Sequence, residues 1–507
     1  MRRPTLFALA LAVALLIPPV AQGQAPVDAP SLEPPAEALA TITGREIGAH
    51  VGFLASDLLR GREAGTVDAR LAAEYLASAL AGMGAEPMGD HIHGGKRSYY
   101  QCFMLERTMP ESGGAELTLT IVHGPGRRKI ACELGADYTY FPGNVAAGEV
   151  EAPAVFVGLG RVDAENKIDD YAGKHVKGSF VLAHRGDQAA QVRAAREKGA
   201  LGLILIAPPP PGVPSVVTPR QMGFDRPRLT LGPAPVEIPA VTLVAPLGQR
   251  LVEALGLSAP EASPPTADGG TLHARFAHSA RREPIEDRNV VGFFPGSDPE
   301  KAKEVIVYSA HYDHEGVDDR GEIYNGADDN ASGTSGLLEV AQAFAAAPRP
   351  ARSVLFLWVS AEEKGLLGSK WYADRPTLPD GARIVANINL DMIGRNDPAK
   401  IGATPSPDLP DHNTLVVDAA EATKAEGLEM LFDTDQFYGR TDSYNFAAKG
   451  IPVIFFFAGL HDDYHKPTDD AEKIDAEKAA RVARAAFRLG WKAAQSPEPP
   501  RKIERQP

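Results

Sequence analysis

Four apolar runs, each leading to residues able to hold a metal or move a proton, constrain this chain more than anything else in it. Val305-Ile306-Val307-Tyr308 leads into His311 and Asp313, and Val354-Leu355-Phe356-Leu357-Trp358-Val359 leads into Glu362 and Glu363. Ile384 through Leu390 leads into Asp391, and Val453-Ile454-Phe455-Phe456-Phe457 leads through a short loop to His465. Asp329 lies between the first two runs. Such unbroken runs of branched and aromatic residues fit strands buried on both faces of a mostly parallel sheet. In open α/β sheets the ligand crevice lies beyond the carboxyl ends of the strands. The pattern predicts an α/β fold, a mostly parallel mixed sheet flanked by helices, with its polar groups gathered at one edge.

That inventory points to a metal-dependent hydrolase. A lone catalytic zinc takes three protein ligands and a water. Two histidines and at least three carboxylates exceed that number, and suit two Zn²⁺ ions about 3.5–4 Å apart that share a carboxylate. Mixed nitrogen and oxygen donors favour zinc, and no cysteine falls in the group.

Met1-Arg2-Arg3, the apolar stretch Leu6 to Ile17 and the small residues near Gly23 predict a secretory signal peptide over 1–23, hence a secreted or periplasmic protein with no membrane span once matured. Residues 24–40 and 496–507, rich in Pro, Ala and charge, read as a flexible linker and a flexible tail. The net charge of −14 argues against nucleic acid and anionic membranes as partners. Only Cys102 and Cys132 are available for a disulfide, and nothing compels them to pair.

Between about Thr43 and Gly84 apolar residues recur at helical spacing, interrupted by the Gly-punctuated segment Leu58 to Thr66. From Val150 to Val244 the texture changes to short strands, with one helix over Gln191 to Gly199. Pro208 to Pro214 reads as a surface loop, and Ser258 to Gly270 as a linker leaving a domain. Strand–helix alternation begins after Asn289.

The assembled motifs are Leu54-Ala55-Ser56-Asp57 with Gly61-Arg62 and Gly65-Thr66; Ala310-His311-Tyr312-Asp313-His314; Asn325 through Gly333; Ser360 through Ser369; Asn389 through Gly394; and Asp463-Tyr464-His465. In this order the chain resembles the dinuclear zinc aminopeptidases of the M28 peptidase family, with the zinc exopeptidase-like fold. The middle segment resembles a protease-associated domain, a smaller β-rich α+β unit set into the catalytic domain. The resemblance divides the chain into a catalytic part at 41–134, the insert at 135–272 and a second catalytic part at 273–495.

It also implies roles. His311 and Asp391 would hold one zinc, Glu363 and His465 the other, and Asp329 would bridge both. Asp313 would orient the His311 imidazole, Glu362 would take the proton of a zinc-bound water, and Tyr464 would donate to the developing oxyanion. The Asp329-Asn330 bond resembles one that is cis in the family. His314 and His461 are expected to be pocket or loop residues. Where the family often has Ser-Asp-His, this chain has Thr441-Asp442-Ser443, which leaves the details of the substrate pocket open. The implied substrates are peptides with a free N-terminus, with the insert a lid or contact surface. The rival readings are a carboxypeptidase, for which Arg440 and Arg395 are candidate carboxylate binders, a glutaminyl cyclase, and a catalytically inactive receptor-like relative.

Overall fold

The computed structural model describes residues 31–140, 148–164, 166–207, 228–232, 238–257 and 270–504. The expected leader at 1–23 and the proline-rich loop at 208–214 lie outside the described residues, as does nearly all of the linker at 258–270.

After the single helical turn Ala36–Leu39, two longer helices follow. In α1 (Gly44–Leu54) the Thr43 hydroxyl accepts from Glu46 N and donates to the Glu46 carboxylate, and Ile47, Val51 and Leu54 form the buried stripe. In α2 (Val67–Gly82) Thr66 caps Ala69 N, and Ala69, Ala72, Ala73, Leu76 and Leu80 are buried. The strand β1 (Tyr100–His123) follows, and much later in the chain comes β2 (Thr271–Phe294), 24 residues long like β1.

Beyond β2 the four apolar runs are strands: β3 (Glu304–His311), β4 (Ser353–Val359), β5 (Arg383–Leu390) and, last in sequence, β6 (Val453–Phe457). β3 lies between β4 and β5, parallel to both, and β6 is parallel to β5. The register pairs His311 with Val359, Ser309 with Asn389, and Leu390 with Phe456. The carboxyl ends of all four strands are therefore level. Their side chains are buried on both faces, against the helices Gly333–Ala346 and Ala476–Gln495 on one side and Leu367–Asp374 and Asp442–Ala447 on the other. A mixed α/β sheet flanked by helices is what the uninterrupted runs predict. No helix of the described residues is long and apolar enough to cross a membrane.

The insert is less separate than expected. β1 and β2 pair antiparallel from Tyr100↔Val290 to Val122↔Thr271, with a bulge between His278 and Ala280. At one end β2 pairs antiparallel with β4, and at the other with the strand Gly148–Phe156. The latter starts a parallel series through Phe180–His184, Gly202–Ile206 and Ala240–Leu243. The second core contains Leu117, Leu119 and Ile121 from β1 and Leu272, Ala274 and Phe276 from β2, together with Tyr138, Phe180, Ile204 and Val241. Boundaries at 135 and 273 thus cut through this core, because the crossing between units occurs inside two continuous strands and not at turns.

The ends also differ from expectation. Trp491 Nε1 donates to Ser31 O at 3.1 Å, Ala38 is buried, and residues 36–39 form a helical turn. At the other end Ile503 N donates to His412 O at 3.0 Å, and the buried Arg352 guanidinium reaches Pro497 O at 3.3 Å. The described parts of 24–40 and 496–507 are packed segments, held by backbone groups whose partners are remote in sequence. Cys102 and Cys132 are both free.

One glycine tests this packing. A Cβ on Gly490 would lie 1.7 Å from the Tyr308 hydroxyl, which itself donates to Ala486 O at 2.8 Å. Gly490→Ala gains about 1 kcal/mol of helix propensity, yet overpacking costs typically 1–3 kcal/mol. Urea denaturation is expected to show a net loss of stability.

Candidate metal centre

The level strand ends set the site. His311 is the last residue of β3, with its carbonyl accepting from Thr334 Oγ1 at 2.6 Å. Asp329 is held from behind: Asp469 Oδ2 accepts from Asp328 N at 2.9 Å and from Asp329 N at 3.2 Å. The next residue, Asn330, ties this turn to the end of β5, donating to Leu390 O at 3.1 Å and accepting from Met392 N at 3.2 Å. The Asp329-Asn330 peptide is cis.

The two oxygens of Asp329 face different histidines. Oδ1 lies 3.3 Å from His311 Nε2, and Oδ2 lies 3.0 Å from His465 Nε2. Asp391 Oδ1 is 3.4 Å from His311 Nε2, and Glu363 Oε2 is 3.1 Å from His465 Nε2. All five sequence-expected metal residues thus meet in two groups joined at Asp329. Atoms bound about 2.0–2.1 Å from a tetrahedral zinc lie roughly 3.3 Å from one another, so these spacings suit ligands around a cation. Asp391 Oδ1 and His465 Nε2 are withdrawn from water and have no hydrogen-bond partner among the described residues. A donor set of this kind fits zinc.

The electrostatics are those of crowded charge. Burial pushes Glu362 well above the usual carboxylate range, and the charges of Glu363, Asp442 and Asp391 add to it although His311 opposes them. Burial alone would lower His311, but Asp391 and Glu362 hold its proton well above the ordinary imidazole range. Burial would likewise raise Asp329, but the imidazoles of His311 and His465 beside it hold it well below. Burial brings Asp391 and Asp442 each up to about 6. Carboxylates that repel one another at close range in a shielded crevice are the setting a divalent cation stabilises.

One expected detail is corrected. His311 Nδ1 faces the Asp313 carbonyl at 3.1 Å, while the Asp313 carboxylate is 3.8 Å away. That carboxylate instead accepts from Glu362 N at 3.1 Å. Glu362 and Glu363 lie in a turn begun by Ala361, whose φ is 58°. His314, expected as a pocket or loop residue, is fully buried with Nδ1 2.8 Å from Glu363 Oε1. Tyr464 stacks on His465 with ring centroids 3.9 Å apart and lines the cleft with Glu362, Glu363, Asp391, Phe437 and Arg440. Asp469 went unnoticed in the sequence because a carboxylate among other carboxylates carries no local signal. Its position four residues after His465 was the one available hint.

Residues 289–489 match the family model Peptidase family M28. That stretch, and not the whole chain, is what is similar to this family. Leupeptin-inactivating enzyme 1 of Streptomyces exfoliatus is 31% identical over 188 residues, 36% of this chain and 38% of that protein. Aminopeptidase YwaD of Bacillus subtilis is 28% identical over 213 residues, 41% of this chain and 45% of the relative. The chain thus spans less than half the length of these two relatives. An aminopeptidase structure from Aneurinibacillus sp. strain AM-1 shares the fold, with TM-score 0.62 and 24% identity, covering 92% of this chain and 96% of the other.

Asp329 faces both groups, whereas Asp391 touches one. Asp329→Ala is therefore expected to lose more bound zinc than Asp391→Ala when both are measured by atomic emission after dialysis against the same buffer.

Proposed function

We propose that the protein is an aminopeptidase that uses two zinc ions to remove N-terminal residues from peptides. The observation that carries this reading is the division of Asp329 between His311, at 3.3 Å, and His465, at 3.0 Å. It supports one seat made by His311 and Asp391 and another made by Glu363 and His465, with Asp329 common to both. The names of the relatives from Streptomyces exfoliatus and Bacillus subtilis agree with peptide substrates.

Zinc held in these seats would polarise the scissile carbonyl and acidify the attacking water. Glu362 is the general base. Its raised proton affinity suits a group that takes a proton from water as the new C–O bond forms and passes it to the departing amine as the C–N bond breaks. Asp313 fixes the Glu362 backbone through the 3.1 Å hydrogen bond and thereby the direction of that carboxylate. Tyr464 donates its hydroxyl hydrogen to the oxyanion: burial and the surrounding carboxylates hold that proton on the phenol, above the usual tyrosine range.

A free α-ammonium gains from Asp329, Glu362, Glu363 and Asp391 around the same cleft. A carboxypeptidase would instead need cations for the substrate carboxylate. Arg395 is spent on Asp463 at 2.8 Å and Asp469 at 3.7 Å, which leaves Arg440 alone on the cleft wall. A receptor-like role is disfavoured because every proposed ligand and Glu362 are in place, and a glutaminyl cyclase, with one zinc, because Asp329 is shared. In this reading residues 1–23 direct export to the periplasm or medium, and the inserted unit is a protease-associated domain that roofs the cleft or contacts substrate.

Purified protein is expected to hold close to two zinc equivalents and to lose activity with a chelator; a stoichiometry fixed at one in zinc-replete buffer overturns the two-ion reading. Glu362→Gln keeps the metal and the fold and loses about 10²–10⁴-fold in kcat. On matched tripeptides, N-acetylation abolishes cleavage and C-terminal amidation leaves it intact; equal rates on the acetylated peptide exclude an aminopeptidase.

A further inference from the structure

The function proposed above leaves two sequence features unused, the second histidine of the Ala310–His314 motif and the Gly61-Arg62 pair. They meet beside Glu363. His314 Nδ1 lies 2.8 Å from Glu363 Oε1, while the other oxygen, Oε2, faces His465 Nε2 at 3.1 Å. One carboxylate is thus gripped from two sides by two imidazoles, whose rings sit edge to face with centroids 5.6 Å apart. The 2.8 Å separation is a hydrogen bond, and because an ionised carboxylate only accepts, Nδ1 carries the proton. The same atom is 3.9 Å from Asp329 Oδ2, wider than the roughly 3.3 Å between ligands of one tetrahedral zinc.

The imidazole has little freedom. His314 N donates to Arg62 O at 3.2 Å. A Cβ on Gly326, where φ is 58°, would stand 2.5 Å from both Cγ and Cδ2 of the ring, so the chain opposite is held to glycine by conformation and by space. The fully buried Arg62 guanidinium donates to Tyr312 O at 2.9 Å, Asn325 O at 2.7 Å and Gly326 O at 3.0 Å, and also to Leu54 O. It therefore clamps the segments on both sides of the ring.

We infer that His314 is a positioning residue for Glu363: its Nδ1–H holds Oε1 and so turns Oε2 toward the seat formed with His465 and Asp329, while Arg62 and Gly326 frame the ring. This rests on the two-seat reading above. A ligating carboxylate fixed by an outer hydrogen bond binds its metal more tightly, typically by 10–100-fold.

The test is zinc titration of the metal-free full chain against a chromophoric chelator, for the native protein, His314→Ala and His314→Asn. The expected result is two affinities in the native protein, with one weakened about 10–100-fold in His314→Ala and the other unchanged. Asn can place an amide N–H near the Nδ1 position and is expected to recover most of the loss. Cobalt substitution should show the same selectivity, the visible bands of one ion changing and those of the other staying. Thermal melts of the metal-free forms check folding. If the alanine variant does not fold, His314→Leu refills the volume without an N–H and takes its place. Unchanged affinities in a folded alanine or leucine variant overturn the inference. So does complete loss of one ion in both the asparagine and the alanine or leucine variants, which would make His314 a ligand. Failure of the aminopeptidase reading shows separately, as absence of cleavage by the native protein, because the affinity comparison needs no substrate.

Discussion

A carboxylate has two oxygens, and the centre of this protein depends on Asp329 offering them in two directions at once. Nothing in the side chain itself fixes that orientation. It comes from the backbone, where Asp469 accepts from the N–H groups of Asp328 and Asp329, and from Asn330, which laces the same turn to the end of the Arg383–Leu390 strand. His311 reaches the first oxygen because its strand ends level with its neighbours, and His465 reaches the second from a loop after the last strand of that group. The geometry is that of a sheet edge before it is that of a metal site.

The strands of that edge were legible in the sequence because they are buried on both faces, which forces unbroken apolar runs. Their last residues were legible for the same reason, since a polar group right after such a run lies at the crevice. The surrounding support was not. Arg62 serves carbonyls at Leu54, Tyr312, Asn325 and Gly326, and an arginine in a Gly-rich segment does not advertise partners some 250 positions away. Asp313 lay two residues from His311 and so suggested a carboxylate–imidazole contact, yet the chain turns and its carbonyl takes that place. Composition changes at turns, whereas here the strands Tyr100–His123 and Thr271–Phe294 run unbroken from one core into another, which no local pattern announces.

The periphery follows the same rule. Segments at 31–40 and 496–504 have the composition of loose ends, but Trp491, Arg352 and the backbone of Ile503 hold them through groups that local composition cannot reveal. Hydrogen bonds to main-chain carbonyls are indifferent to the identity of the residue that supplies the carbonyl. That indifference is why such contacts leave no trace in a sequence pattern.

The strand Thr271–Phe294 runs through the inserted core at one end, and near the other it touches the residues just before Glu362. Asp287 Oδ2 accepts from Ser360 Oγ at 2.8 Å and from Gly65 N at 3.0 Å, and Asn289 Oδ1 accepts from Ser360 N at 3.2 Å. The two bodies are therefore coupled in series like a beam built into two walls, with Glu362, the proposed general base, two residues from one support. Paired strands resist bending far better than a loop of equal length, so an insert mounted in this way cannot be a freely swinging appendage. Its mounting ties it through one continuous strand to Ser360, two residues before Glu362.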